Sequence, residues 1–173
     1  MAVYRPAEWH DYFITVGGAA AVLTGLVFVA MSLSVEGTAQ DATHRNRAIG
    51  TLTGMTAAFV VCALALMGGQ DHRAVGAEWF VVTAAAAAVY VNGYFRAVRL
   101  GGDEHFLRAG RVVGAGACYL VELAGAALLV AGVTAGIYLA AVTMVALLAF
   151  MISGAWLIVI GTTSPHPTEG GHD

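Results

Sequence analysis

One carboxylate in this chain lies where carboxylates are rare. Glu122 is near the middle of an apolar run from Val112 to Val133, which is long enough to cross a lipid bilayer. A charged group at the centre of a membrane costs about 3 kcal/mol on insertion scales, and such residues usually mark an ion or proton pathway or pair with another polar group. Glu122 is therefore the first candidate for chemistry.

Three further polar side chains are candidates to bind a proton or a cation together with Glu122. Tyr119 precedes it by one helical turn. Counting helical rise from the nearest arginine of each span places Glu122 at a depth of about 16 Å and places Tyr90 and Asn92 at about 10–14 Å. A buried carboxylate with neutral neighbours favours its protonated form. We expect Glu122 either to exchange a proton or cation, or to serve as a structural hydrogen-bond donor between helices.

The elements that must position these residues are five apolar runs of about 20 residues, the length that a spanning helix requires. Hydrophobic residues make up 59% of the chain and charged residues 11%, against about 25% charged in an ordinary soluble domain. The pattern predicts an all-α, polytopic integral membrane bundle. It forms a single transmembrane domain over residues 1–163, followed by a short polar tail over 164–173. The predicted spans are Tyr12–Val35, Ala48–Gly68, Trp79–Val98, Val112–Ala131 and Gly136–Ile160.

The distribution of arginine predicts the orientation of these spans. Six arginines lie on the side of the loops between spans one and two and between spans three and four, and only Arg5 and Arg73 lie on the other side. Because cytoplasmic loops are enriched in basic residues, we expect the N-terminus outside and the C-terminus in the cytoplasm, in a multi-pass protein of the cytoplasmic (plasma) membrane. Trp9 and Trp79 then mark the outer interface, where amphipathic rings concentrate.

Small residues at intervals of four predict where the helices meet. Membrane helices associate by close backbone approach, which small side chains permit. The predicted helix-packing residues are Gly17, Ala21, Gly25, Gly50, Gly54, Gly110, Gly114 and Cys118. The last stripe continues to Glu122, so we expect this carboxylate to face protein rather than lipid. Span five carries bulkier side chains and is expected to be a peripheral, lipid-facing helix.

Several functional classes lack support in the sequence. The chain has no Gly-rich phosphate loop, no nucleophile elbow, no CxxC pair and no HExxH motif. Histidines and carboxylates near the outer ends of the spans do not have metal-ligand spacing, so we predict no metal site, no cofactor and no catalytic residues. The basic segment between spans three and four is short and interrupted by acidic residues, which disfavours nucleic-acid binding. We therefore do not expect an enzyme.

Two functions remain. The first is a small homo-oligomeric channel or a proton- or cation-linked transporter, with Glu122, Asn92, Tyr90 and Tyr119 on the pathway. It is favoured because a subunit that only packs has little reason to keep a carboxylate at mid-membrane. The alternative is an accessory or assembly subunit of a larger membrane complex, which the small size of the chain would suit. In both cases the lipid bilayer is a partner.

Overall fold

The computed structural model describes residues 6–33, 42–99 and 105–161, with side-chain surroundings for residues 7–32, 49–96, 99 and 113–153. Within these ranges the chain forms five helices and no strand, so the predicted all-helical fold is confirmed. The helices are α1 (Pro6–Leu33), α2 (Ala42–Ala65), α3 (His72–Arg99), α4 (His105–Val130) and α5 (Ala135–Gly161). The predicted tail, residues 164–173, lies outside the described residues.

Four of these helices are long and apolar enough to cross a membrane, whereas the sequence predicted five spans. Their apolar stretches are Ala7–Ser32, His72–Arg96, Val113–Val130 and Ala135–Ser153. The corresponding stretch of α2, Ile49–Ala65, is shorter within the described residues. The fold is that of a membrane-embedded helical bundle.

Two connections between helices have recognisable local chemistry. The Asp71 carboxylate accepts a hydrogen bond from the backbone N–H of Ala74 at 2.8 Å, which caps the first turn of α3. At the end of α4, Gly132 adopts φ 87°. The N–H groups of Gly132 and Val133 bond to the carbonyls of Leu129 and Leu128, which is the Schellman arrangement that favours glycine at this position. These ends fix the hairpins that position α3 against α2 and α5 against α4.

The helices pack in chain order, and α5 closes the bundle by contacting α2 and α1 as well as α4. Half of the apolar stretch of α5 is buried, more than in any other spanning candidate, whereas only 17% of that of α1 is buried. The prediction that the fifth helix is peripheral was therefore wrong. The bulky side chains Met144, Leu147 and Met151 fill the core, while others such as Tyr138 and Ile152 are exposed.

The backbones of α4 and α5 approach each other closely at two glycines. A Cβ atom on Gly125 would lie 2.7 Å from the backbone nitrogen of Ala140, and one on Gly136 would overlap the backbone oxygen of Gly125. Gly76 of α3 approaches α4 in the same way, since its Cβ would lie 2.9 Å from the nitrogen of Val130. Close backbone approach is how helices associate in lipid, so these glycines hold α3, α4 and α5 together at one end.

Candidate functional site

Glu122 is enclosed by the helix bundle. Its side chain is 3% exposed, in agreement with the prediction that it faces protein. It lies 17 residues after the start of α4 at His105 and 8 residues before its end at Val130. Tyr12 of α1 and Cys62 of α2 are near enough to interact electrostatically with it. The carboxylate thus points into the interior of a single chain.

Two side chains of α3 donate hydrogen bonds to one oxygen of this carboxylate. The indole N–H of Trp79 lies 2.7 Å from Oε1, and the Thr83 hydroxyl lies 3.3 Å from the same atom. Trp79 and Thr83 are four residues apart, so one face of α3 presents both donors. Both are themselves buried, at 0% and 2% exposure. These bonds join α3 to α4 without neutralising the charge of the carboxylate, because both donors are neutral.

The second carboxylate oxygen has no such partner. Oε2 of Glu122 is buried and accepts no hydrogen bond from the described residues. The hydroxyl of Tyr119, one turn earlier on the same face of α4, is also buried and unpartnered. Buried polar atoms are hydrogen-bonded in the great majority of cases, so each exception requires an explanation such as a bound water, ion or proton. Of the three such side-chain atoms among the described residues, two lie on adjacent turns of α4, and the third is Oε1 of Gln70.

The surroundings of Tyr119 are supplied by α2, α3 and α5. A Cβ on Gly54 would lie 3.1 Å from the Tyr119 hydroxyl and 3.2 Å from Cε of Met151, so the glycine makes room for both side chains. The ring of Tyr90 lies against that of Tyr119, with 5.8 Å between centroids, and it also contacts the surface of Gly50. Tyr119 is therefore held in place by its ring, while its hydroxyl oxygen is left for another partner.

The predicted partners of Glu122 on α3 require correction. Asn92 is exposed on the outside of the bundle, and Tyr90 packs on Tyr119 rather than bonding to the carboxylate. The depth estimate counted from Arg99 and Arg111, but α4 begins six residues before Arg111, at His105. Glu122 is therefore more than a helical turn farther from the hairpin than that estimate placed it, opposite Trp79 and Thr83.

Trp79 was also assigned wrongly, as a marker of the outer interface. Its ring is fully buried and packs edge-on against Phe13 of α1 at 6.0 Å between centroids. A buried tryptophan N–H normally finds an acceptor, and here the acceptor is Glu122 rather than a lipid headgroup. The sequence did contain a signal for these donors. Trp79 and Thr83 are four residues apart, on the span next to the one that carries the buried carboxylate.

The predicted helix-packing residues divide into two groups. Five lie at helix contacts: Gly17 against Cys62, Gly50 against Tyr90, Gly54 against Tyr119, Gly114 against Phe150, and Cys118 against the core. Ala21 is exposed and nothing lies within 4 Å of where a Cβ of Gly25 would be, so these two do not mediate packing within the described chain. The surroundings of Gly110 lie outside the described residues.

A small cavity opens at the end of the bundle where α1 begins and α2 ends. Its volume is about 170 Å³, and its lining includes His10, Phe13, Leu66, Met67 and Gln70. Beside it, the amide N–H₂ group of Gln70 donates to both carboxylate oxygens of Glu78 at 2.9 Å. Among the described residues, no three His, Cys, Asp or Glu side chains lie close enough to hold a metal ion. The cavity lining is mostly apolar, with His10 and Gln70 as its polar side chains.

Comparison with protein-family models, with curated proteins and with solved structures found no match for this chain. The site itself must therefore carry any functional conclusion.

Proposed function

We propose that the protein is a small channel or a transporter linked to protons or other cations, and that Glu122 is the group that binds the transported ion. The observation that carries this proposal is that the two carboxylate oxygens of Glu122 differ in their hydrogen bonding. Oε1 accepts two hydrogen bonds from neutral donors, whereas the buried Oε2 has no partner among the described residues. Oε2 is the atom to which a proton or a cation would bind.

The energetics of a buried carboxylate support this reading. An isolated charge in a low-dielectric interior is unfavourable unless it is paired, so a proton or cation must accompany Glu122. The donors Trp79 and Thr83 both bond to Oε1, so their hydrogen bonds hold the side chain while leaving Oε2 out of them. The unpartnered hydroxyl of Tyr119 adds a second oxygen on the same face of α4.

The site lies within one chain. The sequence predicted a homo-oligomer, and within one chain Trp79 of α3 bonds to Glu122 while Tyr12 of α1 and Cys62 of α2 are near enough to interact with it electrostatically. We still propose a homo-oligomer, in which each copy has its own site. Its support is the exposed face of α1 that carries Gly18, Ala21 and Gly25, where a second helix could approach closely.

We further propose five passes through a cytoplasmic membrane with the N-terminus outside. The arginine distribution supports this orientation. The antiparallel order of consecutive helices supports the same number of passes, because α2 runs between α1 and α3 and packs against both. In this orientation the cavity near His10 opens to the outside.

Transport by purified protein in liposomes tests the proposal. A pH-sensitive dye and a panel of monovalent cations should report flux in wild-type vesicles, and Glu122→Gln should abolish it without lowering the melting temperature. The amide keeps the carbonyl acceptor for Trp79 but cannot bind or release a proton at Oε2. Asp11→Asn is the matched control, since that carboxylate is exposed, lies outside the cavity lining and should not be needed. If Glu122→Gln leaves the flux unchanged, the proposal is wrong. If no vesicle shows flux, the accessory-subunit alternative is favoured.

A further inference from the structure

A continuous series of contacts joins the cavity to Glu122. Phe13 lines the cavity and yet is only 1% exposed. Its ring packs edge-on against Trp79 at 6.0 Å between centroids, and the indole N–H of Trp79 bonds to the carboxylate at 2.7 Å. Two aromatic side chains are therefore all that separates the carboxylate from the cavity along this line.

The position of Glu122 along its helix favours the same end of the bundle. The 8 residues between Glu122 and the end of α4 correspond to about 12 Å of helix, and the 17 residues back to its start to about 26 Å. Toward the far end, the rings of Tyr119 and Tyr90 and the side chain of Met151 fill the interior. The shorter distance to water thus runs past Phe13.

We infer that Glu122 exchanges its proton or small cation with water through this cavity, and that Phe13 is the first of the two rings that block the route, the one that lines the cavity. The inference rests on the proposed function and adds the side of access and the residue that controls it. At about 170 Å³ the cavity holds several water molecules but no large solute. His10 and Gln70 are the polar side chains of its lining. The phenyl ring offers no atom that can relay a proton, so exchange requires it to move.

Chemical labelling of Glu122 tests this route without measuring transport. A water-soluble carbodiimide adds to a protonated carboxyl: the carboxyl oxygen bonds to the central carbon, and the proton passes to a carbodiimide nitrogen. Rearrangement leaves a stable N-acylurea that mass spectrometry assigns to Glu122. In nanodiscs, where both faces are open to the reagent, wild-type labelling should be slow. Phe13→Ala should raise its rate by about tenfold or more, because removing a buried ring lowers the cost of opening.

Two further variants make the result decisive. Ile137→Ala removes a similarly buried side chain at the same end of the bundle, outside the cavity lining, and should raise the rate far less. Gly68→Cys places a thiol in the lining where space is open. Its modification with a bulky, membrane-impermeant thiol reagent should slow the labelling of Glu122 severalfold, while the same reagent leaves wild-type labelling unchanged.

The outcomes separate this inference from the proposed function. The route is wrong if Phe13→Ala labels no faster than Ile137→Ala, or if Phe13→Ala does not fold and the blocked Gly68→Cys protein labels as fast as the unblocked one. If Glu122 is never labelled in a protein whose flux depends on this residue, access through the cavity is also refuted. Labelling that follows the expected pattern in a protein without flux would support the route and refute the transport proposal.

Discussion

The hydrogen bond between Trp79 and Glu122 has a measurable energetic signature. Trp79→Phe keeps an aromatic ring beside Phe13 but removes the N–H that lies 2.7 Å from Oε1. Glu122→Leu removes the acceptor and keeps an apolar side chain of similar length. Interhelical hydrogen bonds in membranes contribute about 0.6 kcal/mol on average and up to about 1.7. The short distance and the acceptor being a carboxylate place this bond toward the upper value. We therefore expect about 1–1.7 kcal/mol of coupling.

A double-mutant cycle isolates this quantity from the packing that each substitution also changes. Unfolding of the two single variants and the double variant would be followed by helical circular dichroism during titration with a denaturing detergent. Trp79→Phe should lower the free energy of unfolding distinctly less in the Glu122→Leu variant than in the wild type, because the indole N–H has no acceptor in that variant. Phe13→Leu, combined with Glu122→Leu, is the control pair, since Phe13 contacts the indole ring but is given no bond to the carboxylate. Independent sites usually add within about 0.3 kcal/mol, so a coupling energy below that value would contradict a hydrogen bond between Trp79 and Glu122.

Three further predictions concern packing, assembly and topology. Gly125→Ala should destabilise the bundle by about 1–3 kcal/mol through overpacking against the backbone of α5, whereas Gly116→Ala, with open space around it, should be near neutral in the same melting assay; equal effects would contradict the close approach. Ala21→Leu, on the exposed face of α1, should reduce the homo-oligomer seen by native mass spectrometry, and a wild-type monomer in lipid nanodiscs would remove the basis of this prediction. A cysteine at Arg73 should react with an impermeant thiol reagent only from outside the cell, and reaction only from the cytoplasm would invert the proposed orientation.

The sequence correctly predicted the helices and the burial of Glu122 within the bundle. Apolar length predicts helices, and the small-residue stripe leading to Glu122 correctly predicted that this residue faces protein. Both depend on local pattern, which composition and helical spacing report directly. Gly17 and Gly54 were found at helix contacts for the same reason.

The partners of Glu122 could not be predicted with the same success, because they depend on register between two helices. The depth of Glu122 was counted from Arg111, but an arginine near the end of a span does not mark the first residue of its helix. In the structure α4 starts at His105, ahead of Arg111. That difference moves the carboxylate from the level of Tyr90 to the level of Thr83. The burial of α5 was missed for a different reason. Bulky apolar side chains suit lipid and a protein core equally well, so hydropathy alone does not distinguish them.

The glycine contacts of α3, α4 and α5 have a mechanical consequence. Where backbones touch, as at Gly76, Gly125 and Gly136, no flexible side chain lies between the helices to absorb a displacement. These three helices therefore act as a fixed frame that carries both Glu122 and its donors. Outside this frame lies α1, whose apolar stretch is the least buried of the four. It bonds to α5 through the Tyr12 hydroxyl and the Ala141 carbonyl, and Tyr12 is near enough to Glu122 to interact electrostatically with it. Any movement that exposes the carboxylate is thus assigned to α1, the helix that carries Phe13.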